Sequence, residues 1–317
     1  MAARVNPAHA IRSLNLTNKI ALAVGGTKGI GAAVAQKFAS LGAGVILVGR
    51  DQLTAESVIQ ECKDSNETSD AAYDFVKADL STVRGMKDCV KSIESTLKHT
   101  PKGKIDYIIQ TQGGTPTPTL FLTSDGIEHH FAIQLLSRFT IPYLLKKRDL
   151  LSENCVVVIV ASPGGSIKEY DLSKMECLDI INSPSLLNIP RLMQRDQLIG
   201  DGITAAFNNH PNSPITTYHL FPGFVDTKSY KFLGSPFVSA IGSIFGPILA
   251  RTPFGSTPQS FSPYPVYLAA HPDASKGSRF RGSSLNDIKP NPWATNQANQ
   301  QQLYTSLRRY LEKNDSA

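Results

Sequence analysis

The 317-residue chain has no run of eighteen apolar residues, which argues against a helix able to span a bilayer. Phe232–Ala250 comes closest, but glycine, proline and serine interrupt it. Short lid helices or a loop are expected there, with no stable membrane insertion. Cysteine is scarce. Cys62, Cys89, Cys155 and Cys177 lack the spacing of metal ligands, so no metal site is expected, and a reduced, cytoplasmic setting fits best. No secretory signal precedes the first strand. The first fifty residues contain no acid at all, against six bases: Arg4, Arg12, Lys19, Lys28, Lys37 and Arg50. The other 267 residues balance, so the net charge of +6 is local to this stretch. Nucleic-acid proteins more often cluster their bases on one element. Spread this way, the charge points to a small anionic ligand.

What is present is a regular alternation. Lys19–Val24, Gly44–Gly49, Ala72–Lys77, Ile105–Gln110, Asn154–Ala161 and Pro214–Phe221 read as buried strands. Between them, Ile30–Leu41, Gln52–Cys62, Val83–Lys98, Ser124–Lys147 and Gln194–Asn209 read as helices. Such βαβα order predicts one Rossmann-type α/β domain, a doubly wound parallel sheet flanked by helices. Residues 1–18 read as an extension, 228–275 as an irregular substrate lid after the sixth strand, and 296–313 as a polar surface helix.

The sequence Gly25-x-x-x-Gly29-x-Gly31 joins the first strand to the first helix. Glycines there allow a tight turn and close approach of a pyrophosphate to free helix amides. Gly25, Thr27, Lys28, Gly29, Ile30 and Gly31 are therefore expected cofactor contacts. An NAD site usually carries a carboxylate at the end of the second strand. Here Gly49 and Arg50 stand in that place. A guanidinium can hold a 2′-phosphate with a bidentate fork, and Lys28 can reach the same group, so the expected cofactor is NADP(H).

Over Asn18–Thr227 these residues resemble the short-chain dehydrogenase/reductase family. Asp79-Leu80 is similar to its adenine-contacting pair, and Ser162 in Val160-Ala-Ser-Pro-Gly-Gly165 to its catalytic serine. Pro222-Gly223-Phe-Val225-Asp-Thr227 is similar to the loop whose threonine holds the nicotinamide carboxamide. The resemblance implies that Gln112 and Gly113, after the fourth strand, line the cofactor. It also implies that Gln134 replaces a catalytic asparagine. The pattern looks like a divergent fungal group linked to secondary metabolism. The family's catalytic Tyr-x-x-x-Lys has a literal match in Tyr170-Asp-Leu-Ser-Lys174. It stands eight residues after Ser162 and fifty-two before Pro222, closer to the serine and farther from the Pro-Gly loop than in the family. Tyr170 and Lys174 are either the catalytic pair or part of an inserted surface loop. Arg191 and Arg195 take the corresponding helical spacing nearer the Pro-Gly loop.

Two activities follow. One is NADPH-dependent reduction of a carbonyl, imine or activated C=C in a bulky apolar small molecule. Ser162, Tyr170, Lys174, Gln134 and Arg195 are its candidate catalytic residues. The other is a cofactor-bound isomerase, cyclase or non-redox pseudo-dehydrogenase, motivated by the displaced Tyr-Lys pair. Phe224, Tyr230, Phe232, Phe237 and Phe245 either line a substrate pocket or pack the lid. A serine hydrolase is disfavoured, because Ser162 lacks the Gly-x-Ser-x-Gly elbow. His129 and His130 diverge by about 100° on a helix and cannot share a metal. The expected partner is a small-molecule substrate; homo-oligomerisation stays open.

Overall fold

The computed structural model describes residues 5–66, 71–100, 102–114, 116, 120–181, 183, 185–211, 213–227 and 255–313. Seven parallel strands form one sheet. They are β1 (Ile20–Val24), β2 (Gly44–Gly49), β3 (Tyr73–Lys77), β4 (Ile105–Gln110), β5 (Leu151–Val160), β6 (Ile215–Leu220) and β7 (Phe280–Arg281). Their spatial order is β3-β2-β1-β4-β5-β6-β7. The order reverses between β1 and β4, so a crevice opens beyond the carboxyl ends of those two strands.

Strand residues alternate between faces, and each face has its own core. Leu22, Val24, Ile46, Val48, Ile108, Val157 and Ile159 pack on one side. They meet α3 (Val83–Leu97), α4 (Ser137–Lys147), α5 (Ile189–Asn209) and α7 (Gln297–Lys313). Ala21, Ala23, Val45, Leu47, Ile109 and Val158 pack on the other. They meet α1 (Gly29–Ala39), α2 (Gln52–Asp64) and α6 (Pro263–Ala270). Each fully buried aliphatic side chain contributes roughly 1.5–3 kcal/mol. Small Ala23 lets the glycine loop lie close on β1: a Cβ at Gly26 would come within 2.8 Å of the Ala23 methyl.

The doubly wound sheet is as the alternation predicts, with differences at its margins. β5 begins at Leu151 and α5 at Ile189, both earlier than expected. The helix expected from Ser124 starts only at His129, and residues Ala132–Leu136 are π-helical before α4 continues it. β7 is two residues long and too short for a periodic signal. The tail helix is not a surface element: Leu303, Leu307 and Leu311 are buried in the core. Within the segment 228–275 expected to form a lid, α6 is a core helix with Val266 and Leu268 buried. Residues 228–254, with Tyr230, Phe232, Phe237 and Phe245, lie outside the described residues. Ile11 and Leu16 of the N-terminal extension are buried in the second core. All four cysteines are buried thiols. Among the described residues no helix is long and apolar enough to cross a membrane.

Candidate active site

The crevice begins at the glycine loop. Gly25 and Gly26 donate to the Val48 carbonyl (3.0 and 3.2 Å), which ties the loop to the end of β2. Gly25 has φ +79°, and a Cβ on Gly31 would stand 2.3 Å from the Gly25 carbonyl oxygen. Helix α1 then starts at Gly29 with Lys28 as its N-cap, and no side chain caps it. By contrast Asp51 caps α2 and Thr82 caps α3. The first-turn amides of α1 are left for an outside acceptor, as an anion site requires.

Thr111 Oγ1 donates to Val24 and Gly25 carbonyls (3.1 and 3.2 Å), joining the ends of β1 and β4. Gln112 is braced from α4: Arg138 donates to its carbonyl (2.6 Å), and its Nε2 donates to Ser137 Oγ (3.1 Å). Burial of Arg138 pulls its pKa down to about 10. Gly113, at φ +103°, lies against Gln134, whose Oε1 accepts from the Gly114 amide (3.2 Å). Gln134 therefore shapes the β4 loop from the π-helical turn, a feature often found at functional sites. On the far side, Gly223 (φ +69°) follows Pro222 after β6. Phe224–Val225 pairs with Gly255–Ser256. A Cβ on Gly29 would lie 3.2 Å from the Thr227 methyl, so the glycine loop and the Pro-Gly loop meet. Ile30 and Val225 are half-buried against the second core.

Just after β3, Asp79 is exposed and accepts from the Ser81 amide (3.0 Å), while Leu80 is buried. Thr27 covers Gly49: a Cβ there would be 2.6 Å from the Thr27 methyl. That contact explains the absence of an acid at the strand end. The Asp51 carboxylate is engaged elsewhere. It takes the Thr54 hydroxyl (2.6 Å) and amide (3.2 Å) and Lys28 Nζ (3.0 Å), and these hold its pKa down at about 2. Arg50 is exposed and has no ionic partner among the described residues. Together, the uncapped α1 terminus, the glycines that a Cβ would fill and the free Arg50 fit a phosphorylated dinucleotide.

Ser162, just beyond β5, accepts from Gln197 Nε2 (3.2 Å). Its loop is pinned from below. Asp201 accepts from the Gly164 amide (3.0 Å) and Asn291 amide (2.7 Å), and pairs with His219 Nδ1 (2.9 Å). Gln197, Thr111 and Asp201 carried no sequence signal as site residues, because only the fold brings them here.

Of the two alternatives for Tyr170 and Lys174, the local structure agrees with the loop, and the Arg195 candidate is corrected. Tyr170 and Lys174 are not on one helix. Tyr170 precedes a 3₁₀ turn, Leu172–Lys174, and its ring packs edge-on against Trp293. Burial pushes its phenol pKa up, the reverse of an activated tyrosine. Lys174 is exposed and pairs with Asp171 at 3.5 Å. Asp171 also caps the turn through Ser173, which competes with a helix. Arg195 is not a crevice residue. It is buried, 1% exposed, and ion-paired with Glu128 (3.2 Å) and Asp196 (2.8 Å). Burial alone would lower its pKa, but Asp196 and Glu128 raise it.

A doubly wound sheet with an uncapped, glycine-led helix at its switch point defines a Rossmann-type fold, the architecture on which dinucleotides bind. Residues 19–173 match the family model described as short chain dehydrogenase. A polyprenol dehydrogenase of Danio rerio is 26% identical over 249 residues, covering 74% of this chain and 70% of that protein. A polyprenol dehydrogenase of Homo sapiens is 30% identical over 221 residues, covering 68% and 63%; the match spans less than two thirds of the human protein. An angucycline C-6 ketoreductase with bound NADP superposes with a TM-score of 0.62 at 22% identity. That overlap covers 86% of this chain and 96% of the ketoreductase, and at this identity it shows the fold. Over residues 19–173 the chain belongs to the short-chain dehydrogenase/reductase family of oxidoreductases, which use nicotinamide cofactors.

Proposed function

We propose that this protein is an NADPH-dependent reductase of a carbonyl, imine or activated C=C on a bulky apolar small molecule. The observation that carries the reading is the cationic, acid-free end of β2. Arg50 is unpaired among the described residues, Gly49 leaves no carboxylate for a ribose hydroxyl, and the Asp51 oxygens are already engaged. The nicotinamide cofactor supplies hydride. The chain's own residues do the rest. The α1 amides and glycines hold the pyrophosphate. Asp79 and Leu80 flank the adenine. Gln112, Gly113, Pro222, Gly223, Val225 and Thr227 border the nicotinamide. Ser162, with Gln197 fixing its oxygen, donates a hydrogen bond to the substrate oxygen.

An apolar substrate is supported by the relatives, named as polyprenol dehydrogenases, since a polyprenol is a long hydrocarbon alcohol. Phe221 and Phe224, on either side of Pro222-Gly223, are both exposed. A role in secondary metabolism and a cytoplasmic location belong to the same proposal. The test is NADPH consumption with a panel of apolar aldehydes, ketones and imines, alongside NADPH and NADH titrations. NADPH oxidation that depends on the acceptor is expected. Tight NADPH binding with no turnover on any acceptor would instead favour an isomerase or cyclase.

A further inference from the structure

We propose that Asp201 is the positioning residue of the candidate active site: from α5 it fixes the Ser162 loop after β5 against β6, and so sets the serine hydroxyl relative to the Pro-Gly loop. The inference rests on the reductase reading. Asp201 is 0% exposed. An enclosed carboxylate is costly unless donors surround it. Its Oδ2 takes the Gly164 amide (3.0 Å) and the Asn291 amide (2.7 Å), and its Oδ1 pairs with His219 Nδ1 (2.9 Å). The three partners come from three different segments, so this carboxylate is a junction between them.

The serine loop needs such a junction. Ser162 leaves β5 into Pro163-Gly164-Gly165, and both glycines have positive φ, +99° and +139°. Glycine gives up the most conformational freedom on ordering, so this stretch depends on outside contacts for its shape. Strand β5 fixes the first end of the loop. Asp201 fixes it two residues past the serine. Beyond that point, a Cβ on Gly165 would stand 2.4 Å from Asn291 Nδ2, and the Trp293 amide donates to the Ile167 carbonyl (3.0 Å). The Ile288 amide ties this neighbouring segment to β7 through the Phe280 carbonyl (2.9 Å). Gln197 stands one helical turn before Asp201 on α5, and residues four apart share a helix face. Its Nε2 donates to Ser162 Oγ (3.2 Å). One helix face thus grips the serine twice, Gln197 at the hydroxyl and Asp201 at the backbone.

The third partner extends the junction to the cofactor side. His219 is fully buried in β6, three residues before Pro222, and β6 leads into the Pro-Gly loop. Asp201 therefore links the loop that bears the substrate-oxygen donor to the strand whose loop borders the nicotinamide in the reading above. It acts through Ser162, not on the substrate itself. A displacement of about 1 Å in a reacting site can cost about 10²-fold in rate.

The test is a double-mutant cycle on turnover, with exchange of the Gly164 amide followed by NMR. Asp201→Ala should lower kcat for NADPH-dependent reduction about 10- to 100-fold, with little change in acceptor KM. In a Ser162→Ala background the same substitution should cost little more, because residues that act as a unit are not additive. Asp201→Asn, whose side-chain oxygen can still take both backbone amides, should recover most of the rate. The Gly164 amide should be protected in the wild type and in Asp201→Asn, and exchange readily in Asp201→Ala. Should Asp201→Ala not fold, Asp201→Thr replaces it, since its hydroxyl stops one bond short of the amides. Equal losses in both backgrounds, an Asp201→Ala or Ser162→Ala protein as active as the wild type, or a Gly164 amide as protected in Asp201→Ala as in the wild type overturns the proposal. If the wild type reduces no acceptor, the reductase reading fails, and the exchange pattern alone decides whether Asp201 holds the serine loop.

Discussion

Arg195 draws its role from its partners. Its guanidinium joins Glu128, 1% exposed, to Asp196. Arg195→Met should cost about 3–5 kcal/mol, because two buried carboxylates lose their cation. Urea unfolding measures this, and a loss below about 1 kcal/mol would show the network to be dispensable. The sign of the pH dependence follows from Asp196. Its pKa in the fold lies below its ordinary value of 3.8. The native state therefore binds fewer protons, and the stabilisation is complete above that value and is lost as pH falls through the depressed one. Thermal unfolding between pH 5 and the acid limb should show the loss, and Asp196→Asn should flatten it. Residue identities foretold these contacts unevenly. Gly25 and Gly31 were legible from their spacing between the first strand and the first helix, although part of the crowding on them comes from Thr111 and Gln112 at the end of β4. Tyr170 and Lys174 matched a motif, yet Asp171 capturing Lys174 and Cys177 at φ +53° keep that segment out of a helix. Gln197 was illegible, since its link to Ser162 crosses 35 residues of chain.

Elements carry the next level of argument. Helix α1 can begin at Gly29 only while Gly31 has no side chain, for a Cβ would lie 2.3 Å from the Gly25 carbonyl oxygen. Gly31→Ala should therefore weaken NADPH binding at least about tenfold, equivalent to 1.4 kcal/mol, in a fluorescence titration. An unchanged affinity would mean that the loop does not hold the cofactor. Helix α7 makes the opposite lesson visible. Its polar composition suggested a surface element, but Leu303, Leu307 and Leu311 recur every four residues and are buried against the core. Leu307→Ala should cost about 2–5 kcal/mol by urea unfolding, against nearly nothing for a surface helix. The central strands were readable because runs such as Leu22–Val24 and Val156–Val160 are apolar on both faces. β7 was not, since two residues hold no period. The π-helical turn at Ala132–Leu136, where Gln134 meets the β4 loop at Gly114, is not encoded by local propensity.

At the scale of the molecule, charge placement and cofactor choice become one argument. The +6 net charge lies in the first fifty residues, which fold into β1, α1 and β2 around the switch point. Lys28 is held by Asp51, so Arg50 is the cation left to meet a 2′-phosphate. A charge-assisted contact of this kind is worth about 1.5–3 kcal/mol. Arg50→Ala should then weaken NADPH binding roughly 10- to 100-fold and leave NADH binding almost unchanged. The same difference must appear in stability, because a ligand that binds only the folded chain adds about 2.7 kcal/mol at a hundredfold excess over Kd. At equal concentrations NADPH should raise the melting temperature of the wild type more than NADH does, and Arg50→Ala should bring the two shifts together. Rising salt should shrink the NADPH advantage as well, since Arg50 is exposed and screened. Equal shifts by both cofactors in the wild type would place the phosphate away from Arg50 and remove the ground for preferring NADPH.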